Sequence, residues 1–135
     1  MNLEIRTFCE SDIDELVEIL RLNKQYDYLG IEGHEAMERV SKCDAAFFFV
    51  AQCENKVCGL VRGVYDGSRA LIHLLSVHPD YKSKGIGKAL VQASINEIKK
   101  RGAPSVSVTV TDQGASFWEN IGFERLPVFL MLKSI

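Results

Sequence analysis

The residues with the clearest chemical potential lie between Val77 and Leu90, where an apolar, strand-like segment changes into a helical pattern. Gly85 and Gly87 would let a ligand approach the backbone closely, and lysines stand on both sides of them. The first turn of a helix exposes backbone N–H groups without intrahelical partners and carries a partial positive charge. These features predict an anion site, and a diphosphate has the charge that such a site favours.

The spacing of this segment excludes two common diphosphate sites. It lacks the spacing of a Walker A motif and the third glycine of a dinucleotide fingerprint, so neither ATP nor NAD is favoured. The segment instead resembles the acyl-CoA signature of GNAT acetyltransferases, Q/R-x-x-G-x-G/A after a strand ending V-x-P, with Lys82 at the Q/R place. Residues 111–123 are similar to the N-x-x-A-x-x-F-Y-x-x-x-G-F segment of the same family. The predicted order of elements also matches, so the resemblance covers essentially the whole chain.

The resemblance implies an N-acetyltransferase that uses acetyl-CoA, without a metal, and transfers the acetyl group to a primary amine by direct attack in a ternary complex. Residues 75–77 would bind the pantetheine arm through the backbone, and the amides of residues 83–88 would bind the diphosphate. Residues of the segment 112–118 would flank the arm and its thiol end. The cofactor-binding residues so implied are Leu75, Ser76, Val77, Lys82, Ser83, Lys84, Gly85, Ile86, Gly87, Lys88, Ala89, Asp112, Ala115, Phe117 and Trp118.

Three positions depart from the family pattern. Asp112 replaces the usual Asn, Trp118 replaces the Tyr that protonates the departing thiolate, and Ser107 stands where some relatives carry a Glu base. An indole N–H is not a useful acid. A thiol with a pKa of about 8.5 is nevertheless a tolerable leaving group at neutral pH. Two other hypotheses therefore stay open: a non-catalytic acyl-CoA binding or sensing module, and an enzyme that acetylates a protein N-terminus or lysine.

His73 is the candidate catalytic base, because it interrupts the apolar run 71–75 on the strand that should edge the reactive centre. A histidine within a strand is more often a core residue whose hydrogen bonds are satisfied, and that interpretation stands beside the catalytic one. His78 belongs to the V-H-P turn and is interpreted as structural. The other candidates for a base or a water relay are His34, Glu32, Glu35 and Asp66.

The acceptor pocket in the family fold lies between the first two helices, their connecting loop and the hairpins opposite. Here that placement implies a substrate site formed by Tyr26, Tyr28, Glu32, Tyr65 and Phe129. The segment 27–38 is also acidic, which would attract a cationic amine but is more often typical of a solvated helix face. Its carboxylates are Asp27, Glu32, Glu35 and Glu38.

Hydrophobic periodicity predicts an α/β fold of the α+β type, and the resemblance adds a splayed pair of strands within a mixed sheet. About six strands and about four flanking helices are expected. The predicted strands are 3–8, 45–53, 56–65, 70–77, 105–111 and 126–133, with a two-residue turn at 54–55. The predicted helices are 11–20, 35–42, 85–101 and 114–121.

Bulk properties limit the classes of function. The chain has 135 residues, 47% of them hydrophobic and 25% charged, which predicts one domain over residues 1–135. With a net charge of -2, the chain lacks the positive field that attracts nucleic acid. No apolar run is long enough to span a membrane. Four cysteines without C-x-x-C spacing, and no signal-peptide pattern, indicate reduced thiols and a cytoplasmic location. Residues 47–65 and 128–132 could pair edges in a homodimer, although a core role explains them equally well.

Overall fold

Five strands of the chain form a central sheet. The structure is a computed structural model that describes residues 2–135. The strands lie in sequence order across the sheet, antiparallel from the first to the fourth, and the fifth is parallel to the fourth. Their bounds are β1 Leu3–Thr7, β2 Ala46–Cys53, β3 Lys56–Tyr65, β4 Ala70–Val77 and β5 Ser107–Val108. The predicted mixed sheet is confirmed.

Helices cover both faces of this sheet. Their bounds are α1 Ile13–Leu22, α2 Leu29–Glu32, α3 His34–Ser41, α4 Ile86–Lys100 and α5 Ala115–Asn120. One apolar cluster joins the sheet to α4 and α5, and includes Leu90 and Trp118. A second cluster joins the opposite face to α1 and α3, and includes Leu16 and Met37. The core is therefore two apolar layers separated by the sheet.

The turn between β2 and β3 follows the sequence prediction. Glu54 and Asn55 have φ angles of 49° and 71°, and a two-residue hairpin turn with both residues in this region matches the twist of the strands. The turn sets the register in which Cys53 pairs with Lys56.

An extra residue interrupts β4. Arg62 pairs with Leu74, but the next residue of β3, Gly63, pairs with Ile72, so His73 has no partner opposite it. Residues two apart in a strand normally share a face, yet Ile72 packs in the α4-side cluster and Leu74 in the α1-side cluster. A β-bulge at His73 accounts for this change of face.

The bulge depends on a glycine in the neighbouring strand. A Cβ atom on Gly63 would lie 2.1 Å from the carbonyl oxygen of Leu71 and 2.5 Å from the ring of Phe47. No side chain fits there, so the close approach of β3 to β4 beside the bulge requires glycine.

Three expectations need correction. The sheet has five strands instead of about six, because residues 126–133 form no strand and their apolar side chains are exposed. A hydrophobic run forms a strand only where a sheet edge accepts its backbone, and this segment contacts no such edge in its own chain. The fifth strand pairs only at Ser107 and Val108, not over 105–111. The connection between the predicted helices 11–20 and 35–42 contains the single turn α2, which gives five α-helices among residues 2–135 instead of about four.

A partly buried ion pair stabilises the connection between β1 and α1. Arg6 donates from Nη1 and Nη2 to the two carboxylate oxygens of Asp12 at 2.9 and 2.8 Å, and the Cys9 amide donates to the same carboxylate at 2.8 Å. Burial raises the pKa of Asp12, but the bonds from Arg6 and Cys9 outweigh it and leave that pKa lowered. The pair therefore stabilises the fold above the ordinary carboxyl pKa of about 3.9, and its contribution is lost as pH falls through the lower folded value.

Replacing Asp12→Ala should lower the free energy of unfolding by about 2–4 kcal/mol at pH 7, because it leaves Arg6 and the Cys9 amide without their acceptor. Urea unfolding at pH 7 and pH 3 measures this, and the difference from wild type should shrink at the lower pH. Asp14→Ala, which removes an exposed carboxylate from the same helix start, is the control and should change stability by less than about 0.5 kcal/mol. Equal effects of the two variants would contradict the assignment.

Candidate active site

The loop that leads into α4 has the geometry expected of an anion site. Ser83 and Gly85 have φ angles of 63° and 83°, and successive turns of this kind point backbone N–H groups towards one concave surface. Gly85 precedes the helix and no side chain caps the first turn, whose amides stay available to a ligand. The side chains of Lys82, Lys84 and Lys88 are exposed around the loop and add positive charge.

Gly87 lies where α4 approaches α5. A Cβ atom at this position would lie 3.2 Å from the ring of Phe117, closer than most side-chain contacts in proteins. The two segments that resemble the family motifs therefore touch, with Gly87 from one and Phe117 from the other. A larger residue at position 87 would have to displace that ring.

The strand β4 has an unpaired edge next to this loop. The His78 amide donates to the Cys58 carbonyl at 2.8 Å, and the register continues through Leu60 with Ser76. Hydrogen-bonded and non-bonded pairs alternate in antiparallel strands, so the backbone groups of Leu75 and Val77 point away from β3. The pairing of β4 with β5 ends at Ile72, and these groups therefore face an open gap.

Two amide side chains from the end of α1 bind the carbonyls on this edge. Asn23 Nδ2 donates to the Val77 carbonyl at 2.8 Å and to Ser76 Oγ at 2.7 Å, and Gln25 Nε2 donates to the Leu75 carbonyl at 3.4 Å. Ser76 Oγ in turn donates to Gln25 Oε1 at 2.5 Å. The carbonyls of the edge are thus occupied, whereas its N–H groups are directed into the gap.

His73 lies in the bulge, two residues before Leu75 on the same strand. The residue is exposed. Partial burial and the positive charge of Arg62 both lower its pKa below the ordinary value of 6.5. The ring is therefore neutral at neutral pH and able to accept a proton.

A buried ion pair lies next to the bulge. Arg62 Nη2 donates to Glu32 Oε2 at 2.9 Å and to the Ile31 carbonyl at 2.7 Å, and the guanidinium lies 5.9 Å from the Phe48 ring centroid. Burial raises the pKa of Glu32, and the charge of Arg62 offsets this only in part. Burial also lowers the pKa of Arg62. The pair connects α2 to the middle of β3.

Comparison with known proteins decides the family. The family model of the acetyltransferase (GNAT) domain matches residues 44–125, which contain β2 to β5, α4 and α5. The chain belongs to the GNAT acetyltransferase family. GNAT enzymes are acyltransferases that use acetyl-CoA, so this protein is an acetyl-CoA-dependent acetyltransferase.

Solved structures support the fold of the acetyltransferase along its whole length. PaiA N-acetyltransferase from Thermoplasma acidophilum, in complex with coenzyme A, is 22% identical with a TM-score of 0.86, covering 96% of this chain and 94% of that one. A transcriptional regulator from Bacillus halodurans C-125 is 23% identical with a TM-score of 0.84, covering 98% and 100%. An aminoglycoside acetyltransferase from an uncultured soil metagenomic sample, in complex with trehalose, is 22% identical with a TM-score of 0.76, covering 98% and 97%.

The residues of the acetyltransferase fit acetyl-CoA. Uncapped amides of α4 and the nearby lysines would hold the diphosphate, and the gap beside β4 is lined by N–H groups that would bind the arm. When bound, acetyl-CoA supplies a thioester activated for acyl transfer. The amide groups of the pantetheine arm would compete with Asn23 and Gln25 for the carbonyls of β4.

The other predicted cofactor residues are divided between surface and core. Asp112 is exposed, whereas Ala115 is buried. Trp118 is only 7% exposed and packs edge-on against Phe117 and Phe123. The indole that replaces the family's tyrosine therefore fills the core, and only a small part of it can touch a ligand.

The predicted acceptor residues do not all lie together. Tyr26 packs in the α1-side cluster, Tyr28 is exposed just before α2, and Glu32 closes that helix. Tyr65 packs in the opposite cluster and donates to the Gly67 carbonyl at 3.1 Å. Phe129 is 93% exposed on the C-terminal segment and lines no pocket with the others.

The alternative bases have other partners. Asp66 accepts bonds from the Ser68 and Arg69 amides in the turn after β3, at 2.8 Å each. His34 lies 3.1 Å from Glu38 on the exposed side of α3, and Glu35 is exposed nearby. His78 accepts a bond from the Asp80 amide at 3.0 Å, as expected of a structural turn.

Three residues beside the candidate site were absent from the sequence predictions. Asn23 and Gln25 gave no periodic or motif signal, because the strand edge that they contact is formed 50 or more residues later. Arg62 did give a signal, since it is a charge within the apolar strand of residues 57–64. Among residues 2–135 no group of side chains is arranged to hold a metal ion, and no helix is long and apolar enough to cross a membrane.

Gly87→Glu should weaken acetyl-CoA binding by at least about 100-fold, because it displaces the Phe117 ring and puts a negative charge at an anion site. Isothermal titration calorimetry with acetyl-CoA measures the change. Gly30→Glu is a matched control, since a Cβ there meets no atom within 4 Å, and it should bind acetyl-CoA as wild type does. Unchanged binding by Gly87→Glu would show that the diphosphate lies elsewhere.

Proposed function

We propose that this acetyltransferase transfers the acetyl group of acetyl-CoA to a primary amine by direct attack in a ternary complex, with residues 1–135 acting as one catalytic domain. The observation that supports the proposal is the arrangement of β4, where the N–H groups of Leu75 and Val77 point away from β3 into the gap beyond Ile72, and His73 lies in the bulge two residues before Leu75. Leu75, which supplies an N–H donor, and His73, the proposed base, are two residues apart in an extended strand, so their backbone positions are separated by about 7 Å. This spacing would leave room for an acyl group and an amine between them.

The free N–H groups would polarise the thioester carbonyl. A preorganised donor at a developing negative charge contributes about 3 kcal/mol to catalysis, so part of the rate would depend on no side chain. Asn23 and Gln25 support this role because they hold the strand by its carbonyls and leave its donors to the substrate.

His73 would accept the proton that the amine loses. A lysine-like amine with a pKa of about 10.4 is rarely neutral at pH 7, which costs about 4.6 kcal/mol, whereas an amine of pKa about 8 costs about 1.4 kcal/mol. A base whose own pKa is lowered suits the second kind of acceptor. Trp118 is no acid, so the thiolate would take its proton from water.

The acceptor would lie beside Tyr26, Tyr28 and Glu32, at the end of the gap near His73. A small-molecule amine is favoured over a protein by one comparison, since a structure of the same fold is named as an aminoglycoside acetyltransferase. The carboxylates of this region would attract the cationic form of an amine before it loses its proton.

A thiol-release assay with acetyl-CoA and a panel of small amines and peptides tests the proposal, with His73→Gln as the variant. Wild type should give intersecting initial-rate lines, and its kcat/KM should fall only below about pH 6.5, because a lowered pKa keeps His73 neutral to more acidic pH. His73→Gln should lose about 100-fold in kcat and lose this acidic limb.

His34→Gln, on the exposed side of α3, is the control and should keep both kcat and the pH profile. Acetyl-CoA binding without release from any amine would favour a sensing module. Release by peptides alone would favour a protein acetyltransferase. A fully active His73→Gln would remove the histidine from the mechanism without removing the activity.

We also propose that the enzyme forms a homodimer through its C-terminal segment, residues 126–135. Seven large apolar residues of this segment are exposed, and residues 126–133 form no strand. The described sheet ends at β5, so the outer edge of that strand is open to a second copy of the chain. Insertion of the segment beside β5 of a partner would pair both edges and bury the apolar side chains.

Leu130→Asp should convert a dimer to a monomer, because a charge in the paired segment would be buried without a partner. Size-exclusion chromatography with light scattering at micromolar concentration measures this. Lys133→Asp changes the charge in the same segment without removing an apolar side chain, and should remain dimeric. A monomeric wild type would refute the homodimer and leave the catalytic proposal unaffected.

A further inference from the structure

The guanidinium of Arg62 has an unfilled hydrogen-bonding position. The side chain is 5% exposed, and its two hydrogen bonds to α2 both leave from Nη2. Nη1 is buried and has no hydrogen-bond partner among the described residues. Buried polar groups nearly always have a partner, and an unpaired one on a charged side chain is costly. The geometry therefore points to a missing acceptor atom.

The position of Arg62 connects its unpaired Nη1 group with acetyl transfer. Arg62 pairs with Leu74 directly beside the bulge, and its charge influences His73. Its other end holds Glu32 and Ile31 of α2. The guanidinium thus lies between α2 and the proposed base, where the acceptor amine must enter.

The cover over Arg62 is slight. The single turn α2 contains no buried residue, and apart from its own chain neighbours it is held by Arg62 and by one bond from Arg39 Nη2 to the Gly30 carbonyl at 3.3 Å. Since Nη1 is buried, a ligand reaches it only when its surroundings move, and α2 is an element that can move without loss of apolar packing because it contributes no residue to either apolar cluster.

We propose that the acceptor of this enzyme carries an anionic oxygen group, a carboxylate or a phosphate, close to its amine, and that Arg62 binds this group through Nη1 while Glu32 contacts the amine. The inference rests on the proposed amine acetylation and names its substrate class. Guanidinium is suited to such oxyanions because its planar N–H donors match their geometry. The adjacent carboxylate of Glu32 has the opposite charge, so the two side chains together select a molecule that carries both charges.

Matched acceptors test the inference in the full-length enzyme at saturating acetyl-CoA. The panel contains L-amino acids with their carboxamides and decarboxylated amines, and phosphoethanolamine with ethanolamine. We expect wild type to favour one class of anionic acceptor over its neutral counterpart by at least about 100-fold in kcat/KM, because a buried donor left unpaired penalises the analogue. The amino acid and phosphate arms identify which oxyanion is bound.

Arg62→Met should remove this preference by raising KM for the anionic acceptor, so that the ratio of kcat/KM between the anionic acceptor and its neutral counterpart falls towards one. Arg39→Met also removes an arginine bond to α2 but binds no anion, and should keep the wild-type preference. If Arg62→Met does not fold by circular dichroism, Arg62→Lys keeps the charge without the planar fork and should still lose about tenfold of the preference.

Binding of the reaction product gives a readout that needs no turnover. Calorimetry in the presence of coenzyme A compares two products, the N-acetyl derivative of the preferred anionic acceptor and the N-acetyl derivative of its neutral analogue. The anionic product should bind wild type at least about tenfold more tightly than the neutral one, and the two products should bind Arg62→Met with equal affinity. Amine acetylation with no preference for an anion, or a preference that survives in Arg62→Met, would overturn this inference alone. Acetyl-CoA binding without acetylation of any amine would overturn the proposed function. In that case, equal binding of the anionic and neutral N-acetyl derivatives to wild type would overturn this inference as well.

Discussion

The site depends on the need of backbone N–H and C=O groups for partners where a strand leaves its sheet. After Ile72 the fourth strand has no neighbour on the side of β5, and its groups face a gap. Asn23 and Gln25 satisfy the carbonyls of Val77 and Leu75, whereas the N–H groups of this edge have no partner in β5. Under the proposed function these N–H groups would bind the cofactor, because backbone groups away from water need partners.

The bulge and the gap have a common origin in packing. The close approach at Gly63 sets the register shift opposite His73, and the shift lets Ile72 and Leu74 fill opposite cores. The same shift turns His73 outwards, beside Arg62. The position of His73, the proposed base, therefore follows from the filling of two apolar layers, so a change in the core beside the bulge would also move this residue.

The sequence predicted much of this arrangement where the signals were local. The hairpin turn at residues 54–55, the helix α4 and the strands β2 to β4 follow from turn chemistry and periodicity, and the structure confirms them. The family motifs predicted the cofactor loop. The prediction of a sixth strand was wrong, because the apolar residues at 126–133 do not show whether a sheet edge is available to pair with that segment. The positions of Asn23, Gln25 and Arg62 beside the site depend on contacts between distant segments, which a local pattern does not show. The placement of Tyr65 on the opposite face of the sheet from Glu32 also depends on such contacts.

The single turn α2 has a consequence for how such an enzyme can diverge. None of its residues is buried, and it contributes little to either apolar layer. Mutations in residues 28–31 can accumulate with little loss of folding stability, whereas Glu32 is constrained by its ion pair with the buried Arg62. Under the proposed acceptor site, drift in this one surface turn would change which acceptors bind, while β4 and the loop before α4 are inherited unchanged.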